Sequence, residues 1–149
     1  KRIFDSLLVI IIIILLVIPI ILTAIALRIT SKGSVLYWSD RIGKDNETFK
    51  MPKFRSMRLT RPVATHLLDN PDVYLSPIGG FLRRSSLDEL PQLFSVLKGD
   101  MSFVGPRPGY LLEDLIALRK EKGVDKLVSG ITGWAQVNGR DELSIPDKV

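Results

Sequence analysis

With 149 residues, of which 46% are hydrophobic, the chain is long enough for one domain with a real core. It has no cysteine and a single histidine, His66, so a disulfide framework and a cysteine-ligated zinc site are excluded, and multi-histidine metal sites or Ser-His-Asp catalysis have little material. The net charge is +5 and the pI about 9.6. The excess is concentrated in Arg28, Lys32, Arg41, Lys44, Lys50, Lys53, Arg55, Arg58 and Arg61, against only Asp40, Asp45 and Glu47. Such a block points first to anionic lipid head groups and second to an anionic substrate. Nucleic acid is not expected as a partner, since no motif for it appears.

Ser6 to Leu27 carries no charge and is almost wholly Leu, Ile and Val over its first half. As a helix this run is roughly 33 Å long, enough to cross a hydrocarbon core. It is too long for a signal peptide and has no cleavage pattern after it. Basic residues flank both ends (Lys1 and Arg2; Arg28 and Lys32), so the positive-inside rule gives no orientation. Pro19 removes a backbone hydrogen bond past the midpoint. These residues leave a re-entrant helix and a kinked spanning helix equally open.

Ser34 to Trp38 and Glu47 to Met51 are strand-like runs around a polar turn at Arg41 to Lys44, a hairpin pattern. Tyr37 and Trp38 fit either a bilayer interface or a core. Lys53 to Arg58 alternates basic and apolar residues, as in a solvated edge strand or a phosphate-facing one. Turn signals fill residues 59 to 77, with a short helix expected around Ala64 to Leu68.

Gly79-Gly80 leads into a segment with helical apolar spacing (Leu87, Leu90, Leu93, Phe94, Leu97) that should stop at Lys98-Gly99. Ser86-Leu87-Asp88-Glu89 fits a capping box, with Asp88 as an alternative N-cap. A helix N-terminus there would favour the ionised carboxylates. Arg83, Arg84, Asp88 and Glu89 together suit phosphoryl transfer: one carboxylate attacks phosphorus, the other holds a divalent cation, and guanidinium groups hold phosphate oxygens. The local pattern alone favours an ordinary capped helix.

Two prolines hold Arg107 on a stiff turn in Gly105-Pro106-Arg107-Pro108, suited to a bidentate phosphate contact. Tyr110 to Glu121 shows a helical stripe (Leu111, Leu112, Leu115, Ile116, Leu118) expected to be core. Gly130 to Arg140 combines glycines that permit close backbone approach with Trp134, Gln136, Asn138 and Arg140 as nucleotide contacts. The spacings of a dinucleotide fingerprint and a P-loop are absent.

Four segments in this order, behind an apolar N-terminus, resemble the monotopic phosphoglycosyl transferases, bacterial enzymes that start glycan assembly on polyprenyl phosphate. They are Lys53 to Met57, Leu82 to Leu93, Lys98 to Pro108 and Gly130 to Arg140. The resemblance implies a two-step exchange. Asp88 attacks the β-phosphate of a UDP-sugar, UMP leaves, and polyprenyl phosphate then takes the phosphosugar from Asp88. Glu89, with Asp88, would hold Mg²⁺. Arg83 and Arg107 would bind phosphate, Lys53 and Arg55 would line the same pocket, and Gln136 and Arg140 would contact substrate.

The resemblance also implies a re-entrant helix broken at a Ser-Pro pair, where this chain has Ile18-Pro19. Ser129 stands where the family usually has proline. Family members continue some tens of residues beyond the position of Val149, so a C-terminally truncated member is expected. The expected fold is α+β and mostly helical, with a re-entrant membrane helix over 1–30 and a catalytic domain with a β-hairpin over 31–149. It is placed at the cytoplasmic face of a bacterial inner membrane, among membrane lipid. The rival is a non-catalytic membrane-anchored module that binds lipid or nucleotide. The sugar, the polyprenol length and the choice between monomer and homodimer stay open.

Overall fold

The structure, a computed structural model, describes residues 1–58 and 71–138. His66, the helix expected around it, and Arg140 lie outside the described residues. In chain order come α1 (Arg2–Thr30), β1 (Leu36–Ile42), β2 (Thr48–Phe54), α2 (Gly79–Ser85), α3 (Gln92–Lys98), β3 (Met101–Val104), α4 (Glu113–Glu121), β4 (Ser129–Thr132) and the single turn α5 (Trp134–Val137). Helix dominates, and β1 and β2 form the antiparallel hairpin that the sequence suggested.

The uncharged run makes α1, and most of its surface stays uncovered. Its most apolar window is only 11% buried, whereas a core helix of a water-soluble protein would be enclosed. Pro19 stands inside α1 without ending it. The buried residues are confined to the two ends, Asp5 and Val9 on one side and Thr23 and Leu27 on the other. Val9 packs with Met51, Leu93, Val96 and Met101, supported by Ile12 and Ile13. Leu27 packs with Phe54 and Leu82, supported by Ile20 and Ala24. Between those contacts Ile14, Leu15, Val17 and Ile18 are exposed. Each aliphatic side chain buried this way contributes roughly 1.5–3 kcal/mol.

Polar bonds fasten the first turn of α1. The Arg2 guanidinium donates to the carbonyls of Val96 and Leu97, which close α3 and lack helical partners. Asp5 is buried and accepts a hydrogen bond from the Ser102 hydroxyl at 2.8 Å.

The hairpin runs in register from Leu36↔Phe54 to Ile42↔Thr48. Each strand is longer than its sequence signal. The connecting turn at Lys44–Asn46 places Asp45 and Asn46 at positive φ, a region these two side-chain types tolerate better than most. Tyr37 and Trp38 are about half exposed and so are not core.

Two expectations are corrected. The segment from Gly79 to Lys98 is two helices rather than one helix capped at Ser86. Ser86 has φ 56°, in the left-handed region, and makes no side-chain cap bond. An N-cap needs extended backbone at that position, so the capping box does not form. A 3₁₀ turn, Leu87–Glu89, intervenes before α3, which ends at Gly99 as expected. The stripe in residues 110–121 is not core either. Leu111 and Leu112 are exposed, and the fully buried side chain of α4 is Arg119, which donates to the Gly43 carbonyl at 3.2 Å. A parallel pair, β3 with β4, joins Met101 to Ser129 across α4 and had no recognisable sequence signal.

Candidate active site

Asp88 and Glu89 sit on the 3₁₀ turn between α2 and α3. The turn is held by its apolar neighbours. Leu87 and Leu90 pack on the Leu27–Phe54–Leu82 cluster, and Leu90 also touches the cluster built on Val9 and Leu93. Two cores therefore pin one short turn. Asp88 is left only 9% exposed.

Charges from two other elements close on the pair. Lys53, next to last in β2, places Nζ 2.9 Å from Glu89 Oε1, and both side chains are largely buried. Lys53 is thus not the solvated end of an edge strand but is held against Glu89. Arg83, on α2, donates from Nε to the Ser56 hydroxyl at 3.1 Å. Burial pushes the Asp88 carboxyl above its ordinary value of 3.8. Lys53 opposes that rise, Glu89 adds to it, and Arg83 and the Asp88 backbone N–H oppose it further. The sequence suggested the opposite sign for Asp88. The long helix whose N-terminus would have favoured ionisation is absent at this point, because α3 begins at Gln92, and desolvation wins.

Such an arrangement can perform nucleophilic chemistry on an anion. A desolvated carboxylate is more basic and more weakly solvated than one in water, while Lys53 and Arg83 keep an ionised form within reach. The donor set also fits a magnesium ion. Among the described residues no cluster of three or more acidic, histidine or cysteine ligands exists. Magnesium commonly takes one or two carboxylates and fills its remaining positions with water and substrate phosphates. Asp88 and Glu89 are the two carboxylates that could hold such an ion.

The other expected site residues are placed differently. Arg55 is 4% exposed and directs its guanidinium to the Ser31 carbonyl at the end of α1, 3.4 Å away, with Nε and the other terminal nitrogen unpaired. It is a neighbour of Lys53 in sequence but does not join the dyad. Arg107 is half-buried on the loop after β3 and makes no ion pair among the described residues. Its loop is stapled to β4: Gly105 N donates to Thr132 O and Gly130 N donates to Pro106 O, both at 2.9 Å. A Cβ on Gly130 would lie 2.1 Å from Gly105 N. The glycines of the last motif therefore seat the Arg107 loop. Gln136 donates to the Ile131 carbonyl at 3.4 Å, and Asn138 to that of Trp134 at 2.9 Å.

Two contacts made by buried side chains escaped the sequence reading. Ser56 lies inside a quoted motif, yet its hydroxyl had no assigned partner. Asp5 is an acid at the mouth of an apolar helix, which was the one signal that it needed a buried partner.

The family model described as "Bacterial sugar transferase" matches residues 1–149. The chain is 40% identical over 146 residues to "Uncharacterized sugar transferase EpsL" of Bacillus subtilis, covering 97% of this chain and 71% of that protein. It is 40% identical over 155 residues to "UDP-glucose:undecaprenyl-phosphate glucose-1-phosphate transferase" of Escherichia coli, covering all of this chain and 33% of that protein. It is 35% identical over 143 residues to "UDP-N-acetylgalactosamine-undecaprenyl-phosphate N-acetylgalactosaminephosphotransferase" of Aeromonas hydrophila, covering 92% of this chain and 33% of that protein. The chain thus spans about a third of the length of these two longer relatives.

Proposed function

The chain belongs to the bacterial sugar transferase family, and from that membership we propose that it transfers a sugar 1-phosphate from a UDP-sugar to a polyprenyl phosphate through a covalent intermediate on Asp88. The observation that carries this reading is the buried Asp88 beside Glu89, with Lys53 and Arg83 acting on it from separate elements. In the first step an Asp88 oxygen bonds to the β-phosphorus, the bond from that phosphorus to the bridging oxygen breaks, and UMP leaves with the oxygen. In the second step a phosphate oxygen of the acceptor bonds to the same phosphorus and the Asp88 oxygen–phosphorus bond breaks. The carboxylate is restored and a polyprenyl diphosphosugar departs.

Lys53 and Arg83 offset the charge that accumulates around phosphorus, and burial excludes the water that would hydrolyse the acyl phosphate. Mg²⁺ bound by Asp88 and Glu89 would neutralise diphosphate charge. The relatives' names motivate UDP-glucose and UDP-N-acetylgalactosamine as donors to try first, and undecaprenyl phosphate as acceptor.

The same proposal includes a re-entrant α1 at the cytoplasmic face of the bacterial inner membrane. Support comes from the packing: both ends of α1 rest on one body while Ile14, Leu15, Val17 and Ile18 stand exposed. An enzyme joining a water-soluble nucleotide sugar to a very apolar alcohol phosphate needs its carboxylate at the interface.

The test is an intact mass of the purified protein after incubation with Mg²⁺ and each UDP-sugar, without acceptor. We expect a gain of one phosphosugar that is absent in Asp88→Asn. Turnover with acceptor but no adduct at any time point would show direct transfer and reduce Asp88 to a metal ligand.

A further inference from the structure

We infer that Ser56 is a positioning residue for the transfer: its hydroxyl grips Arg83 by Nε and fixes the direction in which the terminal amino groups of that guanidinium meet the donor's diphosphate. The inference rests on the transferase reading above.

Ser56 follows the end of β2 and is only 8% exposed. Its backbone is fixed from two sides. Its carbonyl accepts from Ser76 N at 2.9 Å. A Cβ on Gly79 would lie 2.0 Å from the same carbonyl oxygen, so the start of α2 rests directly on Ser56 and only glycine fits there. Arg83 lies one helical turn beyond Gly79, on the same face of α2. The Ser56 hydroxyl thus stands at a set distance below the Arg83 stem, and Arg83 Nε donates to it at 3.1 Å.

Arginine carries several rotatable bonds, and its use against phosphate depends on presenting a planar fork. The Ser56 bond engages Nε alone. That bond does not use the terminal amino groups, the pair that would reach phosphate oxygens. Ser56 itself is buried beneath and touches no substrate. A guanidinium freed from it keeps its charge near Asp88 but loses its aim.

The experiment is steady-state UMP release from UDP-glucose and from UDP-N-acetylgalactosamine, with Mg²⁺ and undecaprenyl phosphate. It compares the unaltered full chain with Ser56→Ala, Ser56→Thr, Arg83→Ala and the Ser56→Ala/Arg83→Ala double variant. Ser56→Ala should raise KM for the UDP-sugar about tenfold, the scale of one lost charge-assisted hydrogen bond, with a smaller change in kcat. Ser56→Thr, which keeps the hydroxyl, should restore most of that loss. In the Arg83→Ala background Ser56→Ala should add less than about twofold, because the partner is gone.

An unchanged KM in Ser56→Ala, or the same fold-loss in both backgrounds, overturns the inference while leaving the transferase reading intact. Should Ser56→Ala fail to fold, the isosteric pair Ser56→Thr and Ser56→Val decides it. Equal KM values for those two overturn the inference, and a lower KM for the threonine supports it. No UMP release by the unaltered chain from any donor sinks the transferase reading, and this inference with it.

Discussion

A carboxyl group whose pKa is lifted by burial works against the fold wherever it is ionised. Asp88 is such a group. The sign follows from linkage. The folded protein holds the Asp88 proton more tightly than the unfolded chain does. This residue's contribution is therefore most favourable below the ordinary value of 3.8 and declines as pH rises through the elevated folded value. Asp88→Asn removes the ionisable group, so at neutral pH its thermal unfolding temperature in detergent should equal or exceed that of the unaltered protein. UMP release should meanwhile fall by about 10³-fold or more, the scale seen when a nucleophile is removed. A drop in both together would mean that Asp88 is structural. The pairing of Asp88 with Glu89 was visible because the two are adjacent in the chain, although the local pattern alone favoured an ordinary capped helix. Ser56 was not, because its role depends on how closely Gly79 approaches a carbonyl, and no spacing encodes that distance.

Among the elements, the last two motifs act as one unit. The Gly105–Arg107 loop and β4 share two backbone hydrogen bonds and a contact that leaves no room for a methyl group on Gly130. Gly130→Ala should cost about 1–3 kcal/mol of unfolding free energy by overpacking. It should also lower UMP release, through displacement of the loop that carries Arg107. Full activity in a stable Gly130→Ala protein would detach that loop from the site. The first turn of α1 offers a parallel case. Ser102→Ala would leave the buried Asp5 carboxyl without its donor and should cost about 1–3 kcal/mol, read as a lower denaturant midpoint. Asp5→Asn/Ser102→Ala should recover part of that, since the amide buries no charge. Periodicity found the helical segments and the hairpin. It missed the break at Ser86, because an S-x-x-E pattern looks the same whether the serine is extended or left-handed. It missed β3 and β4 because four-residue parallel strands carry no alternation long enough to read.

At the scale of the whole molecule, the proposed path of α1 draws its support from where the helix is held. Val9 and Leu27 are about 27 Å apart along a straight helix. The clusters these two residues join include Met51 and Phe54, about 10 Å apart along one strand. Both ends of α1 rest on the same body, with Ile14, Leu15, Val17 and Ile18 exposed between them and Pro19 next in the chain. An arm of half the helix reaches about 20 Å, short of a hydrocarbon core about 30 Å thick. The re-entrant reading proposed above therefore expects both ends of α1 on one face of the membrane. Because the sequence contains no cysteine, single substitutions report position without background. Lys1→Cys and Lys32→Cys, at opposite ends of α1, should both react with a membrane-impermeant maleimide in inside-out vesicles, and neither should react in intact spheroplasts. Reaction of one site from each side would establish a spanning helix. In that case the contacts of Val9 with Leu93 and of Leu27 with Leu82 could not both persist in the membrane, and the dyad turn pinned between those two clusters would lose one of its supports.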